Sequence, residues 1–166
     1  MAVTNEKSAQ VTNQDANPPS MTPAYDSGGK VKIQMCEFTQ GAAAGDATST
    51  MLLCRIPAGQ GRILKKLSVL TWSAFGASRT LDVGYSAHTK RDGTAVSAGV
   101  DILEDGRDVS AAGGAGVALG TGTNADDAVV FTYDSKAPID ILATVAGGTI
   151  PAAATITGWI AYVPNE

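Results

Sequence analysis

Short apolar runs with a period of two, separated by glycine and proline, constrain the fold of this chain most strongly. Residues 55–72 read R-I-P-A-G-Q-G-R-I-L-K-K-L-S-V-L-T-W, with two such runs around Pro57, Gly59 and Gly61. Alternation of this kind is typical of half-buried β-strands. No apolar run with the helical period of 3.6 is longer than about two turns, which argues against helical α/β architectures.

The same pattern recurs along the chain and predicts about eight strands. In residues 30–36, Val31, Ile33 and Met35 alternate with polar residues and Cys36, the pattern of a half-buried strand. Residues 100–105 fit either a helical turn or a strand. The other candidates are residues 50–56, 63–72, 79–85, 116–119, 128–133, 139–145 and 155–163.

Length and composition favour one domain built around these strands. The chain has 166 residues, 44% of them hydrophobic but only 5% aromatic, so the core should consist mainly of Val, Ile and Leu. About eight strands with long irregular loops favour a jelly roll among the possible closures. We therefore predict an all-β protein with a single β-sandwich, a jelly roll, over residues 30–166.

Residues 1–29 differ in composition and predict an extended N-terminal arm. Asn, Gln, Ser and Thr dominate there, and Pro18, Pro19 and Pro23 favour an extended path. Such a segment cannot bury enough apolar surface to offset its own ordering entropy. We expect a neighbouring molecule to hold the arm, with packing along its own domain as the alternative. The three prolines and Tyr25 are its candidate partner-binding residues.

Charge is unevenly distributed in this acidic chain. The net charge of −4 argues against nucleic-acid binding. Residues 47–81 nevertheless contain five cations and no acid, whereas residues 92–134 contain eight acids and Arg107 as the single cation. The two segments either neutralise each other within the fold or form faces that dock neighbours. For the second case Arg62, Lys65 and Lys66 are the candidate contacts.

Two cysteines and the hydropathy of the chain indicate its environment. Cys36 and Cys54 lie within apolar strand-like runs, and two cysteines do not make a disulfide framework. We predict buried thiols in a protein that matures in a reducing cytoplasm. No stretch approaches the roughly 18 apolar residues of a membrane span, and the N-terminus lacks the features of a signal peptide. We expect no membrane association.

Candidate catalytic and metal-binding residues are sparse. His88 is the single histidine, so the chain cannot form a histidine cluster that binds a metal. His88 also lies in a polar stretch without a nucleophile motif, which argues against a catalytic triad. Asp101, Glu104, Asp105 and Asp108 form the densest carboxylate cluster, but their spacing does not match a calcium loop. We expect no enzyme activity, metal or cofactor, and leave calcium binding at residues 101–108 open.

Aromatic residues on predicted strands leave one binding alternative. Trp72, Trp159 and Tyr85 could form a stacking platform for a sugar, as in a carbohydrate-binding module. A position in the core or at a subunit contact is the other interpretation of the two tryptophans.

Residues 56–86, I-P-A-G-Q-G-R-I-L-K-K-L-S-V-L-T-W-S-A-F-G-A-S-R-T-L-D-V-G-Y-S, resemble a family of structural proteins in tailed-bacteriophage virions. The resemblance extends to I-T-G-W-I-A-Y-V near the end and to V-K-I after the arm. It implies a β-sandwich head protein of the decoration or cement type, which binds the outer surface of the major capsid protein. Such proteins commonly form homotrimers.

The resemblance also implies where the protein would act. It would be made in the host bacterial cytoplasm and reside on the capsid surface of the virion. A tail or head-fibre component remains an alternative, because the same sandwich would serve there. A jelly-roll enzyme that uses His88 is a further alternative, from a different class.

Overall fold

The computed structural model describes residues 16, 29–46, 49–114, 116–120 and 130–165. The predicted arm, residues 1–29, lies outside the described residues apart from Ala16 and Gly29, so its conformation stays a prediction. In the described parts of the chain no helix has the length and apolar character needed to cross a membrane.

The described residues form twelve strands and one short 3-10 turn, Lys65–Leu67. The strands are β1 (Lys32–Thr39), β2 (Thr50–Ile56), β3 (Gly59–Leu64), β4 (Val69–Trp72), β5 (Thr80–Tyr85), β6 (His88–Thr89), β7 (Ala95–Val96), β8 (Gly99–Asp108), β9 (Val117–Ala118), β10 (Val130–Ser135), β11 (Ile139–Ala146) and β12 (Thr155–Pro164).

Two antiparallel sheets face each other across the core. We call the first the β12 sheet, because β12 lies at its centre. On one side β12 pairs with β1, and on the other side it pairs with β3 and then with β4. Strand β3 also pairs with β10, and β4 also pairs with β9. The second, here the β11 sheet, has the order β2-β11-β5-β8. A separate hairpin joins β6 and β7.

The strand pairs are nested, which identifies the jelly roll. β1 pairs with β12, β2 with β11, β3 with β10, and β5 with β8. A long hairpin rolled into two sheets produces this order, because each successive pair lies inside the previous one along the chain. The prediction of an all-β sandwich is confirmed.

A predicted single strand over residues 63–72 is divided in the structure. Val69 of β4 lies opposite Trp159, and Ile63 of β3 lies opposite Tyr162. Between these two pairs β12 spans three residue positions, from 159 to 162, whereas the opposing chain spans six, from 63 to 69. Six minus three leaves three extra residues, and the 3-10 turn Lys65–Leu67 accommodates them. We call this segment the extruded turn.

Other local predictions have mixed outcomes. Leu81, Val83 and Tyr85 face the core as predicted. The segment left open at residues 100–105 belongs to β8, a strand of ten residues. The weak strand at residues 116–119 is reduced to the two residues of β9.

The expected facing of β1 is reversed. A half-buried strand normally buries its apolar set, yet Val31, Ile33 and Met35 are 53%, 58% and 65% exposed, whereas Cys36 is 1% exposed. The opposite set faces inward because Cys36 and Phe38 pack into the core between the sheets. The apolar side chains of β1 therefore lie on the outer face of the β12 sheet.

Close approach of β5 to β8 requires glycine at position 84. A Cβ at Gly84 would lie 1.8 Å from the carbonyl oxygen of Gly99, a backbone atom that cannot move away independently. The β5–β8 register is also irregular on both sides of Val83. The absence of a side chain at Gly84 thus allows this part of the β11 sheet to form.

We predict that Gly84→Ala destabilises the fold by about 3 kcal/mol, because the added methyl forces the two strands apart. The matched control is Gly41→Ala, since no atom lies within 4 Å of a Cβ built there. That control should change the free energy of unfolding by less than about 0.5 kcal/mol. Chemical denaturation measures both, and equal losses would contradict the steric explanation.

Candidate functional site

The outer face of the β12 sheet carries a contiguous set of exposed apolar side chains. Ile33 and Met35 project from β1, Val31 directly precedes that strand, Trp159 projects from β12, and Leu67 projects from the extruded turn. We call these five residues the apolar strip. Contiguous exposed apolar surface on a soluble protein marks a binding site far more often than isolated exposed residues do.

Strand register makes the strip continuous. Met35 lies opposite Trp159, and Trp159 lies opposite Val69 on the other side of β12. Val69 in turn lies opposite Ala118 of β9. Directly opposed side chains on one sheet face have Cβ atoms about 4.5–5.5 Å apart, so these four residues form one row across four strands.

The extruded turn fixes the aromatic residue of this row. Nε1 of Trp159 donates a hydrogen bond to the carbonyl oxygen of Leu67 at 3.0 Å. The turn therefore supplies an acceptor for the indole and at the same time places the Leu67 side chain next to it. An indole held in one orientation loses little conformational freedom when a partner binds.

A groove of about 460 Å³ borders the strip at Met35 and Trp159. The Met35, Trp159 and Val69 side chains border it, and none of its seven lining residues carries a titratable group. The Thr71 hydroxyl is already engaged, because it accepts a hydrogen bond from the Gly116 amide at 3.0 Å. The groove is suited to receiving apolar side chains. Its remaining lining residues are Thr71, Gly116, Thr157 and Gly158.

The predicted basic contacts are only partly on the surface. Lys65 is 1% exposed, and its ammonium group donates a hydrogen bond to the Ile102 carbonyl at 3.2 Å. Lys66 is exposed but donates to the carbonyl oxygen of Gly120. Burial therefore removes Lys65 from direct contact with a partner, while that role for Arg62 and Lys66 stays a prediction. Pro18, Pro19, Pro23 and Tyr25 lie outside the described residues.

The carboxylates of β8 do not converge on one point. Glu104 is buried, accepts a hydrogen bond from the Gly120 amide and pairs with Arg107 at 2.8 Å. Asp101 and Asp108 are exposed, and Asp108 accepts a hydrogen bond from the Ser110 amide, which lowers the pKa of its carboxyl. Within the described ranges no three His, Cys, Asp or Glu side chains are placed to share a metal ion.

One of the five cations of residues 47–81 is neutralised within the domain. Arg55 forms an ion pair with Asp140 across the β2–β11 ladder, and this contact raises the pKa of the guanidinium. Arg91, which lies outside that segment, pairs with Asp134 at 2.9 Å. Both pairs are largely exposed, so each contributes little to stability.

The candidate aromatic platform is not assembled. Trp72 is buried and donates its indole N–H to the Ala111 carbonyl at 3.1 Å. Tyr85 is also buried and stacks on Phe131. His88 contacts the edge of the Tyr85 ring, and its Nδ1 lies 3.2 Å from the Ser86 carbonyl oxygen. Trp159 is thus the single aromatic of the three that reaches the surface.

Both cysteines are free and buried, as predicted. The Cys54 thiol hydrogen-bonds with Cys36, and this bond together with burial raises the pKa of Cys54. A raised pKa means that the thiolate, the reactive form, is scarce near neutral pH.

The strip itself could not be located from the sequence. Trp159 was a candidate for a sugar platform or a subunit contact, but Met35 and Ile33 fitted a buried strand face equally well. Leu67 belongs to a predicted continuous strand. Only the register that brings Met35, Trp159 and Val69 into one row shows that they share a surface.

We predict that Glu104→Gln destabilises the protein by about 3 kcal/mol, because it leaves the Arg107 guanidinium without its buried carboxylate. Asp101→Asn is the matched control on the same strand, since Asp101 is exposed. Its effect should stay below about 0.5 kcal/mol. Urea denaturation followed by circular dichroism compares the two; a larger loss in the control would refute the buried pair as a stabilising feature.

We also predict that both thiols alkylate at least about 100-fold more slowly in the native protein than in guanidinium, because they are buried and Cys54 is held protonated. Because the pKa of Cys54 is higher in the folded protein, its protonated thiol contributes fully to the free energy of unfolding below the ordinary thiol pKa. This contribution decreases as the pH rises above that ordinary value. Mass spectrometry after timed iodoacetamide treatment measures the rates. Equal native and denatured rates would show that the thiols are accessible.

Comparison with known proteins gives one structural relationship. No protein-family profile matches the chain, and no curated protein matches it in sequence. Among solved structures, the fold is similar to a chain described as "Cyanophage Pam1 capsid asymmetric unit", with 17% sequence identity and a TM-score of 0.56. The match covers 99% of this chain and 100% of that chain. At this level of identity the likeness establishes a shared fold.

Proposed function

We propose that this chain is a structural protein of a tailed-bacteriophage virion. The observation that carries the proposal is the structural match to a chain of a phage capsid asymmetric unit, which extends over the whole of both chains. Because neither chain has a large unmatched part, the likeness extends over both sheets and is not confined to one of them. The sequence motifs of residues 56–86 and 156–163 independently resemble virion structural proteins.

Within the virion, we propose the role of a decoration or cement protein on the outer surface of the major capsid protein. A filled head is under outward pressure from packaged DNA. A subunit that contacts several capsomers adds interface that must break before the shell opens. The compact jelly roll suits an externally attached subunit, and the predicted arm would extend its contacts beyond the domain.

A structural role fits the chemistry of the outer face better than turnover does. The groove beside Trp159 is lined by apolar, hydroxyl and glycine residues, none of which transfers protons near neutral pH. Trp72 and Tyr85 are buried, so the structure gives no support to a carbohydrate platform built with them. The matched chain belongs to a capsid, which favours the head over the tail as the proposed location.

We predict that the full chain co-sediments with phage heads that lack it and raises the temperature at which they release DNA. Deleting residues 1–25 should leave the jelly roll folded, because those residues precede β1, but should abolish head binding if the arm grips the capsid. The matched control keeps the length and composition of residues 1–25 in permuted order.

Two results would contradict these statements separately. If the truncated chain binds heads as well as the full chain, the arm is not the binding element. If the full chain binds no heads, the decoration role itself fails. Circular dichroism of each variant confirms that lost binding does not reflect lost folding.

A further inference from the structure

We propose that Cys36 and Cys54 are a modification site, at which a peroxide oxidises the two thiols to a disulfide that joins the two sheets. The inference goes beyond the proposed function, and its test requires no phage head. It rests on where the two side chains lie, on the contact between them and on the strands that carry them.

The two cysteines meet although they belong to different sheets. Cys36 lies on β1 of the β12 sheet, and Cys54 lies on β2 of the β11 sheet. Cys36 is 1% exposed and Cys54 is 8% exposed, and both belong to the core between the sheets. The Cys54 thiol hydrogen-bonds with Cys36, so the two sulfur atoms are in contact. The sequence contains no third cysteine, so this contact brings all its thiols together.

The contact leaves only a short distance for the sulfur atoms to close. A disulfide holds its sulfur atoms about 2.05 Å apart and its Cα atoms about 4.4–6.8 Å apart. Strands β1 and β2 pack against each other, so rotation about the Cα–Cβ bonds can bring the sulfurs to bonding distance while the strands keep their places. A buried thiol otherwise acts as a small apolar side chain. Two thiols in mutual contact can also form a covalent bond.

The oxidation balances with hydrogen peroxide as the oxidant. One thiol loses its proton, and its thiolate attacks a peroxide oxygen. The O–O bond breaks, a sulfenic acid forms, and the hydroxide that leaves combines with the released proton as water. The second sulfur then attacks the sulfenic sulfur, the S–S bond forms, the S–O bond breaks, and the oxygen leaves as water with the second thiol proton. Two thiols are oxidised, and one peroxide is reduced to two water molecules.

The contact between the thiols directs this chemistry to the disulfide. The second thiol touches the first, so it meets the sulfenic acid at a far higher effective concentration than further peroxide does. Burial hinders bulky oxidants, whereas hydrogen peroxide is small enough to enter when the domain opens locally. The raised pKa of Cys54 keeps its thiolate scarce near neutral pH, so oxidation is slow and follows folding.

A disulfide at this position would join two strands that no ladder joins. In the described residues β1 pairs with β12 and β2 pairs with β11, but β1 and β2 do not pair with each other. Strand β1 begins at Lys32, just after the predicted arm, so a pull on a held arm reaches β1 first. The disulfide would pass that load to the second sheet. This consequence rests on the proposed function, because only a bound arm is pulled.

The test is treatment of the reduced, purified full chain with hydrogen peroxide, followed by denaturation, alkylation with iodoacetamide and measurement of the intact mass. We expect a product that has lost two hydrogen atoms and takes up no alkyl group. Peptide mapping should find residues 36 and 54 in one cross-linked fragment. Closing the loop between them restricts the unfolded chain, so the oxidised protein should melt about 5–10 °C higher than the same sample after reduction with dithiothreitol.

Two matched variants identify the bond as the cause. Cys54→Ala and Cys36→Ala each keep one thiol but lack its partner, so peroxide should oxidise the remaining thiol to sulfenic or sulfinic acid without raising the melting temperature. Circular dichroism establishes that each variant keeps the fold. The comparison of oxidised and reduced wild type needs no substitution, so it decides the question if neither variant folds.

Three outcomes would overturn the inference. The first is a peroxide-treated wild type that still takes up two alkyl groups after denaturation. The second is oxidation that yields sulfinic acids, or a cross-link between two chains, in place of the bond within one chain. The third is a disulfide that leaves the melting temperature unchanged or lower. A chain that forms the disulfide but binds no heads would support the inference and contradict the proposed function.

Discussion

On one side β12 pairs with β3 and then with β4, and the extruded turn separates these two strands. The rest of the structure depends on how this interrupted pairing is completed. Where the extruded turn leaves the ladder, β12 would lose a backbone partner in a buried place. The Ser68 hydroxyl replaces it by accepting a hydrogen bond from the Ala161 amide at 3.0 Å and donating one to the Leu64 carbonyl at 2.9 Å. Ser68 is completely buried, so this substitution satisfies groups that water cannot reach. The sheet can therefore tolerate three extra residues without an unpaired strand.

The same turn determines what lies on each side of the sheet. It directs Lys65 into the interior, where the ammonium group reaches the Ile102 carbonyl of β8, and it directs Leu67 outward beside Trp159. The interior thus contains a lysine beside Gly120, whose amide donates a hydrogen bond to the Glu104 carboxylate, while the exterior carries apolar side chains. Buried charges require full pairing because desolvation opposes them. The turn consequently couples a polar arrangement inside the fold to the apolar strip outside it.

Sequence patterns predicted the strands well because their periodicity is local. Residues 50–56 match β2 at both ends, and most of the long strands that form the nested pairs were predicted, but the structure has twelve strands where about eight were predicted. The break at Lys65–Leu67 was not predicted because the segment contains no glycine, proline, asparagine or aspartate, the usual signals of a turn. The facing of β1 was wrong for a related reason: alternation shows that two faces differ, but only the packing of Cys36 and Phe38 determines which face is inside. The candidate site depends on cross-strand register, which one sequence does not specify.

The outward facing of the apolar side chains of β1 affects the free energy of the isolated domain. Met35 and Ile33 contribute little to the stability of the isolated domain, since both remain more than half exposed, yet their exposure to water costs solubility. Turning β1 by one residue would bury these side chains but would expose Cys36 and Phe38 and break their contacts with the core. The observed facing is therefore the one that stabilises the domain, and the free energy still available from the outer face is gained only when another apolar surface covers it.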